Sequence, residues 1–525
     1  MKTNKPIYFR HIILPIILLL IVCFFAIGSS PLFITNPWND SNAMFTIGRS
    51  LINGIVPYKD VIDQRGPFLY ALFALGAAIK STSFFGVFVI QTVNVFIVYW
   101  LSIKIATDLD LNKKDTVWVG LLGPLSLLST SAYSFSGSPE EFAFTSVLYL
   151  LYVINHYHQE ITQISMKHFF LLGVCLSLVF WNKYSMIGAF VVFFFWTAIA
   201  ALKKKEFLLL IKIVVFSLLG FLSISVVILT YFVLHGALKE LVHIYFVQNL
   251  TAYGKSDQST LMKLWALLFL MAREINQHYI AVILIIISWL TRVSKNNKQN
   301  LEMMMFGTSL IFVALQHRIF DYYNLIWMPF LAVALTRLSA VLIKDRRDYL
   351  TRRFPSKTSF YLLVSALIIL LPIVNNTDLA KLILIQEKQS VANNNLSAQT
   401  KFGKLIQQKR TGLQQPSLIM INSLDQGFFL SSRTLPSTTF FHRLNMTYDQ
   451  LPQMYNSFNQ DLSNKKTDFV IVKLNFSLDK NVKNISKQVN SVVDPHLRES
   501  LDKNYRIEST AQNSTNESYA LLYKK

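Results

Sequence analysis

The chain has 525 residues, of which 52% are hydrophobic and only 15% are charged. A soluble core of that length does not need so large an apolar share, so the composition favours the membrane class over the soluble globular class. The formal net charge of +21 would indicate nucleic-acid binding on a polar domain. Here many of the cations stand between apolar runs, so we attribute the excess to membrane topology and expect no nucleic-acid partner.

The amino-terminal apolar run, 11–28, follows a basic segment, as a signal peptide does. The run is long, contains Pro15 and is followed by further spans, so we predict a retained signal anchor. Cys23 and Cys175 both fall inside apolar runs, which argues against a disulfide framework or a thiolate metal site.

The apolar runs predict about eleven transmembrane helices, because about 20 largely apolar residues cross the hydrocarbon layer. The predicted spans are 11–28, 84–103, 116–131, 141–155, 168–181, 184–201, 207–234, 278–292, 301–315, 322–343 and 358–374. Two further apolar runs, 66–79 and 261–271, are interpreted as helices lying on the outer surface. If either of them spans, the side assigned to every later loop changes.

The loops between these spans separate into a basic set and an acidic or neutral set. The basic loops contain Lys113 and Lys114, then Lys203, Lys204 and Lys205, then the segments that start at Arg292 and Lys344. The positive-inside rule places them, with the amino terminus, in the cytoplasm. The other loops, 29–83, 132–140, 182–183, 235–277, 316–321 and everything after 375, are then extracytoplasmic.

From about residue 375 the sequence becomes polar and predicts a small α/β domain. Short apolar runs at 417–421, 468–472 and 519–523 indicate strands, and 397–409 and 483–502 indicate helices. We therefore predict two domains, a transmembrane module over 1–374 that includes the first outer loop 29–83, and an extracytoplasmic α/β domain over 375–525.

The first outer loop contains two groups of charged residues. Asp40 follows the first span, and the stretch VPYKDVIDQRGPFLY at 56–70 adds Lys59, Asp60, Asp63 and Arg65. Each group has an ordinary structural explanation. Asp40 could cap the helix that follows it, and the second group could be solvated charges of a turn punctuated by glycine and proline.

Four other outer segments add polar residues. Glu140 and Glu141 open a span, where acidic residues suit the helix dipole, and Lys183 lies in a short turn, where lysine commonly extends to lipid headgroups. The candidates from the later loops are Gln248, Asn249, His317, Arg318, Asp321 and Tyr322. The aromatic residues among them could be no more than an interfacial belt.

Metal-binding patterns are weak in this sequence. A zinc site needs paired His or Cys ligands at fixed spacing, and the nearest match, HYH at 156–158, falls in a loop predicted to be cytoplasmic. We therefore predict no metal site. The outer loops instead gather carboxylates, cations and aromatic rings on one membrane face, a pattern that suits a lipid carrying a phosphate. Cations would neutralise the phosphate leaving group and a carboxylate would act as a base.

The segment DS…G…VPYKDVIDQRGPFLYAL resembles the first outer loop of polytopic C-type (GT-C) glycosyltransferases, which include protein O-mannosyltransferase-like and aminoarabinose-transferase-like enzymes. The later segments EEFAF, KYSMIG, YFVQN and DYYNLIWMPFL resemble the same branch in order and side. The resemblance covers about 30–345, and GFFLSSRTLPSTTFF at 427–441 also resembles the outer domain of that branch.

The resemblance implies a polyprenyl-phosphate sugar donor, with Asp40 as catalytic base and Arg65 and Lys183 on the donor phosphate. Lys59, Arg318 and His317 are further phosphate candidates. The residues expected to orient the substrate or the cations are Asp60, Asp63, Glu140, Glu141, Gln248, Asn249, Asp321 and Tyr322.

Two positions depart from the family pattern. Many relatives have Asp-Glu where this chain has Asp40 and Ser41, which removes a possible metal ligand, so a divalent cation is not assumed. The usual His-Lys before Gly-Pro is Gln64 and Arg65 here, which keeps the cation but changes its donor geometry.

The sequence therefore predicts an inverting membrane glycosyltransferase that acts on an extracytoplasmic glycan, teichoic acid, lipid or protein. One alternative is a flippase or transporter of lipid-linked glycans, which would place charges inside the spans and show related halves. Another is a receptor whose outer domain binds cell-wall material without catalysis, in which Asp40 could change freely.

Overall fold

The computed structural model describes residues 5–157, 161–252, 260–291, 299–316, 320–345, 357–375, 397–410, 415–475, 482–512 and 517–525. The chain forms two compact units. The first contains Met1–Ser30, Val89–Ile228 and Asp257–Leu379, and the second contains Pro31–Phe88, Leu229–Ser256 and Ala380–Lys525. The first outer loop thus belongs, by its contacts, to the same unit as the carboxyl-terminal region.

The structure is mostly helical up to residue 375. In chain order the α-helices are α1 Lys5–Ala26, α2 Asn39–Ile52, α3 Pro67–Ile79, α4 Phe85–Asp108, α5 Lys113–Gly120, α6 Leu122–Leu128, α7 Pro139–His156, α8 Met166–Lys183, α9 Gly188–Lys203, α10 Phe207–Leu234, α11 Leu238–Leu241, α12 Asn249–Ala252, α13 Thr260–Gln277, α14 Tyr279–Leu290, α15 Gln299–Ala314, α16 Met328–Asp345 and α17 Lys357–Asn375. Turns of 3₁₀-helix lie at Ser131–Phe135, Ile161–Gln163, Tyr184–Met186 and Asp321–Ile326, and a π-helical segment lies at Val242–Gln248.

Helices lie over all eleven predicted spans, but three of these spans are not one continuous α-helix. The spans 184–201 and 322–343 each begin with a 3₁₀ turn, Tyr184–Met186 and Asp321–Ile326, and the span 116–131 is broken in the middle. The run 116–131 forms α5 and α6, which meet at Leu121. Pro124 explains the break, because it has no backbone N–H and its ring would clash with the carbonyl of Gly120 in a continuous helix.

By length and composition, four helices in the described ranges could each cross a membrane: Phe85–Asp108, Met166–Met186, Phe207–Leu234 and Thr358–Asn375. Leu261–Gln277 and Tyr279–Leu290 are bent by 89° at the break between them and could form a fifth, broken span. The run predicted as a surface helix at 261–271 is therefore the start of a longer helix. The predicted total of about eleven spans stays a prediction.

Within the first unit, glycines allow α8 and α10 to pack closely. A Cβ added at Gly173 would overlap the carbonyl oxygen of Ser217, and a Cβ added at Gly220 would overlap that of Phe170. Small residues at reciprocal positions are the usual way for membrane helices to bring their backbones together. One α-helical turn further along α8, the hydroxyl groups of Ser177 and Ser225 lie 3.1 Å apart.

The carboxyl-terminal region has a four-stranded sheet in the order β1-β2-β4-β3, where β1 is Leu418–Met420, β2 Phe469–Leu474, β3 Tyr505–Gln512 and β4 Ser518–Lys524. β1 and β2 are parallel, and the other two pairs are antiparallel. The helices of this region are Ala398–Gln408, Phe428–Ser431, Pro452–Ser463, Val482–Val492 and Pro495–Asn504.

The three predicted strands correspond to β1, β2 and β4, and the predicted helix 397–409 corresponds to Ala398–Gln408. The predicted helix 483–502 is two helices, because Asp494 caps a new helix that starts at Pro495. β3 was not predicted from the sequence. It lies at the edge of the sheet, is partly exposed along its length and has a polar sequence, YRIESTAQ, without an apolar run.

We predict that Gly173→Ala lowers the unfolding temperature, because the added methyl group must push a backbone carbonyl away, at a cost of about 1–3 kcal/mol. The measurement is thermal unfolding of the detergent-purified protein followed by intrinsic fluorescence. Gly307→Ala in α15 is the matched control, since no described atom lies within 4 Å of a Cβ added there. Equal unfolding temperatures for the two variants would contradict the close packing of α8 and α10.

Candidate functional site

Asp40 lies in the first turn of α2 and forms an ion pair with Arg65. The helix starts at Asn39, and its N-cap residue is Trp38, so Asp40 is not the helix cap that its position in the sequence could suggest. Its Oδ2 atom is 2.6 Å from Nη2 of Arg65. The side chain of Asp40 keeps 19% of its surface exposed, whereas Arg65 keeps 10%. The carboxylate is therefore oriented by a cation and still reaches solvent.

Asp63 binds the other side of the Arg65 guanidinium. Its Oδ2 atom is 2.5 Å from Nη1 of Arg65, and its Oδ1 atom accepts hydrogen bonds from the Tyr70 hydroxyl at 2.7 Å and from the backbone N–H of Arg65 at 3.1 Å. Burial alone would raise the pKa of Asp63, but the charge of Arg65 and the contacts with His442 and Tyr70 hold it below its usual range. Asp63 is thus an ionised, buried carboxylate.

The backbone around Arg65 is held by the residues before it. Tyr58 has a positive φ of 69°, and its hydroxyl donates a 2.5 Å hydrogen bond to the carbonyl of Arg65. Asp60 accepts a 2.7 Å hydrogen bond from the backbone N–H of Val56. The ammonium of Lys59 donates to the carbonyl of His235 at 2.8 Å. In this structure Asp60 and Lys59 therefore hold the turn and the end of α10.

Asn249 and Gln248 lie at the end of the π-helical segment in the same unit. The amide of Asn249 donates to the backbone carbonyl of Gln64 at 2.9 Å, next to Arg65. Gln248 makes a longer contact, 3.8 Å, with the sulfur of Met446. Of these two predicted candidates, Asn249 is the one that contacts the loop carrying Arg65. π-Helical turns are frequent at functional sites.

In the first unit, Lys183 is held by a carboxylate and an aromatic ring. Its Nζ atom is 2.6 Å from Oε1 of Glu140, which is 1% exposed, and 3.6 Å from the ring centroid of Tyr323. The Tyr322 ring lies further away, with its centroid 5.8 Å from Nζ. The structure thus brings together Glu140, Lys183 and Tyr322, three of the predicted residues, and adds Tyr323 as the closest cation–π partner.

Glu141 takes a different position from its neighbour Glu140. Its carboxylate accepts hydrogen bonds from the Gln91 amide at 2.9 Å, the Tyr133 hydroxyl at 3.0 Å and the backbone N–H of Gly137 at 2.6 Å. These contacts tie α7 to α4 and to the preceding loop. The geometry therefore supports a structural role for Glu141 in the first unit.

Asp321 lies at the start of a 3₁₀ turn and contacts His278 and Ser131. Nε2 of His278 is 2.8 Å from Oδ1, and the Ser131 hydroxyl donates to Oδ2 at 2.6 Å. Burial would raise the pKa of Asp321, but these two partners and Asn324 hold it below its usual value. Asp321 thereby fixes the bend between α13 and α14, where His278 stands. The predicted residues His317 and Arg318 lie outside the described ranges.

Sequence reasoning missed several buried polar residues of the second unit. The Thr46 hydroxyl donates to Oδ2 of Asp425 at 2.7 Å, Arg49 donates to the carbonyl of Phe429 at 3.0 Å, and His442 is fully buried beside Asp63. The available signal was a lone charged or titratable residue inside an apolar stretch, as in LDQGFFL and TTFFHRL. Such residues are rarely buried unless they have a partner. Within the ranges that the structure describes, no group of three or more His, Cys, Asp or Glu could hold a metal ion.

No protein-family model and no curated protein matches the amino-acid sequence. Solved structures do match. The crystal structure of ArnT from Cupriavidus metallidurans bound to undecaprenyl phosphate has a TM-score of 0.60 and 10% identity, over 97% of this chain and 97% of that one. Its apo form has a TM-score of 0.56 and 11% identity over 98% of both chains.

The chain has the fold of ArnT. The predicted fold class, a polytopic helical, GT-C-like fold with a small carboxyl-terminal α/β region, is therefore confirmed. A cryo-EM structure of arabinofuranosyltransferase AftD from Mycobacteria matches more weakly, with a TM-score of 0.43 and 9% identity, over 97% of this chain and 39% of that one.

We predict that Asp63→Asn destabilises the protein at neutral pH, by about 3–5 kcal/mol, because it leaves the Arg65 guanidinium, which is only 10% exposed, without one of its two carboxylates. Folding lowers the pKa of Asp63 below its value in the unfolded chain, which is about 4. The ionised carboxylate therefore stabilises the folded protein fully above about pH 4, and this stabilisation is lost as the pH falls toward the lower pKa of the folded state. The difference in unfolding temperature between the variant and the wild type should thus be largest at pH 7 and narrow below about pH 4.

Asp60→Asn is the control for this experiment. Asp60 is exposed and accepts one backbone hydrogen bond, which an asparagine oxygen can also accept. It should unfold at nearly the wild-type temperature. A variant at Asp63 that behaves like the variant at Asp60 would show that the ion pair does not stabilise the loop.

Proposed function

We propose that this protein is an inverting membrane glycosyltransferase that transfers a sugar from a polyprenyl-phosphate donor to an extracytoplasmic cell-envelope acceptor. The observation that carries the proposal is the Asp40–Arg65 ion pair in a chain whose fold matches ArnT over nearly its full length. The ArnT crystal contains undecaprenyl phosphate, which supports a lipid phosphate as the donor carrier.

In the proposed reaction, Asp40 accepts the proton of the acceptor hydroxyl. The acceptor oxygen then attacks the anomeric carbon, and the bond between that carbon and the phosphate oxygen breaks. The electron pair of that bond stays on the polyprenyl phosphate, and the configuration at the anomeric carbon inverts. Asp40 suits the role of base because Arg65 orients its carboxylate while part of its surface is open to solvent.

Arg65 and Lys183 are the cations proposed to neutralise the departing phosphate. Arg65 has five N–H donors, and the Asp40 and Asp63 contacts through Nη1 and Nη2 leave other donors for a phosphate oxygen. Lys59, His317 and Arg318 stay secondary candidates. The residues proposed to orient the cations or the substrate are Asp60, Asp63, Glu140, Glu141, Gln248, Asn249, Asp321 and Tyr322.

The proposal includes the topology derived from the charged loops. The amino terminus is cytoplasmic, and the α/β region after residue 375 is extracytoplasmic. We keep the division into a transmembrane module, 1–374, and an α/β domain, 375–525, as part of this proposal. The activated donor supplies the driving force, so the reaction needs no nucleotide.

The decisive variant is Asp40→Asn, which keeps the shape of the side chain and removes its basicity. Loss of a general base commonly lowers the rate by about 10²–10⁴-fold. The assay uses full-length protein in lipid nanodiscs, a polyprenyl-phosphate lipid extract as donor and envelopes from cells lacking the protein as acceptor. Mass spectrometry measures the released polyprenyl phosphate and the added sugar.

The matched control is Asp110→Asn, at an exposed position with φ of 53°, a conformation that asparagine tolerates well. It should transfer sugar at the wild-type rate. Full transfer by the Asp40→Asn variant would reject Asp40 as the base. If lipid-linked glycan crosses the membrane but no sugar is transferred by the wild type, the flippase alternative is correct instead.

We further predict that Lys183→Met weakens donor binding. Losing one charge-assisted hydrogen bond costs about 1.5–3 kcal/mol, which corresponds to a rise of about 10–100-fold in the apparent KM for the donor extract. Lys183→Arg should restore part of the binding, because it keeps the charge. Lys80→Met is the control, since Lys80 is an exposed lysine at the end of α3. An unchanged KM in the Lys183→Met variant would remove Lys183 from the phosphate site.

A further inference from the structure

The carboxyl-terminal region contacts the helix that carries Asp40. Oδ2 of Asp425 accepts a 2.7 Å hydrogen bond from the Thr46 hydroxyl of α2. Its Oδ1 atom accepts hydrogen bonds from the backbone N–H groups of Gly427 and Phe428, at 3.0 Å each. Gly427 has a φ of 87°, a conformation that favours glycine, and a Cβ there would overlap Thr35. This turn is therefore shaped to fit against the start of the first outer loop.

His442 makes a second contact from the same region, with the buried Asp63. The histidine is fully buried, and its Nε2 atom lies 3.3 Å from Oδ2 of Asp63, the oxygen that also binds Arg65. The centroid of the His442 ring lies 4.0 Å from that of the Phe441 ring, and the backbone of His442 forms a β-bridge with Met420 of β1.

These contacts form one chain of polar groups that ends at the proposed base. His442 contacts Asp63, Asp63 binds Arg65, and Arg65 binds Asp40. Asp63 is fully buried, so the groups packed around it determine where its carboxylate lies. Removing the imidazole would take away one of these groups, and the Asp63–Arg65 pair could then shift from its position beside Asp40.

We propose that His442 is a positioning residue of the catalytic site, which acts through Asp63 and Arg65 to fix the carboxylate of Asp40. This inference rests on the proposed function and extends it, because it makes the α/β region part of the catalytic apparatus. Asp425 serves the same purpose on α2 itself, where it holds the helix one and a half turns beyond Asp40.

A positioning role predicts a specific kinetic change. A displacement of about 1 Å in a reacting group can cost about 100-fold in rate. The His442→Leu variant, which has similar volume and no polar atom, should therefore lose about 100-fold in kcat, whereas the apparent KM for the donor extract stays within about twofold. His442→Gln, which keeps a polar side chain beside Asp63, should recover at least a tenth of the wild-type kcat.

The experiment uses full-length variants in nanodiscs with the polyprenyl-phosphate lipid extract and the envelope acceptor. His496→Gln is the matched control, a histidine of the same region that is exposed, stacks on Tyr448 and contacts Asp494. It should keep both kcat and KM. Folded protein is quantified by thermal unfolding, so that each kcat refers to folded molecules.

Three results would overturn the inference: an unchanged kcat in His442→Leu, an equal loss in His442→Leu and His442→Gln, or a loss that appears in KM alone. If His442→Leu does not fold, kcat is measured for His442→Gln, Asp63→Asn and the double variant. Additive effects of the two substitutions on kcat would show that His442 does not act through Asp63. An active Asp40→Asn variant would instead reject the proposed function. A normal His442→Leu variant beside an inactive Asp40→Asn variant rejects only the role of His442.

Discussion

The first outer loop of the second unit is organised around one largely buried cation, the guanidinium of Arg65. Taking a charge out of water costs several kcal/mol unless opposite charges surround it. Arg65 meets this requirement with two carboxylates, Asp40 on Nη2 and Asp63 on Nη1. Because those carboxylates come from α2 and from the loop before α3, the ion pairs hold two segments of the chain together. Tyr58, Tyr70 and His442 each contact Arg65 or Asp63 and lie around this ion-pair cluster.

The same rule governs the first unit, where charged residues also stand in apolar surroundings. Lys183 is paired with Glu140, and Arg337 of α16 lies 2.5 Å from Glu302 of α15 with both side chains nearly buried. The two pairs differ in exposure. Arg337 is 4% exposed, whereas Lys183 keeps 23% of its side chain open. A buried pair fastens helices to each other, but a partly open cation can also accept an anionic ligand, which is why Lys183 is the better phosphate candidate.

The sequence predicted much of the fold because continuous apolar runs and basic loops are local signals. The limits of α10 coincide with the predicted span 207–234, and the carboxyl-terminal strands β1, β2 and β4 coincide with short apolar runs. The charged loop predicted functional roles for Asp40, Asp63 and Arg65, but only the structure shows that Arg65 pairs with both carboxylates. Asp425 contacts a residue 379 positions earlier in the chain, and His442 contacts Asp63 across a similar distance. Contacts between residues so far apart in the chain leave no hydrophobic periodicity and no fixed spacing in the sequence. Asp425 and His442 therefore could not be identified as site residues from one sequence.

The structure also gives a physical reason for an arginine rather than a lysine at position 65. A lysine ammonium is a single point charge on a flexible stem, whereas a guanidinium is a planar fork with fixed donor directions. Arg65 uses that fork to bind Asp40 and Asp63 through different nitrogens, at 2.6 Å and 2.5 Å. A lysine could neutralise a phosphate, but one ammonium could not hold both carboxylates in these directions. An arginine at position 65 can therefore orient Asp40 as well as supply positive charge, and in the proposed site it links Asp40 to Asp63 and to His442.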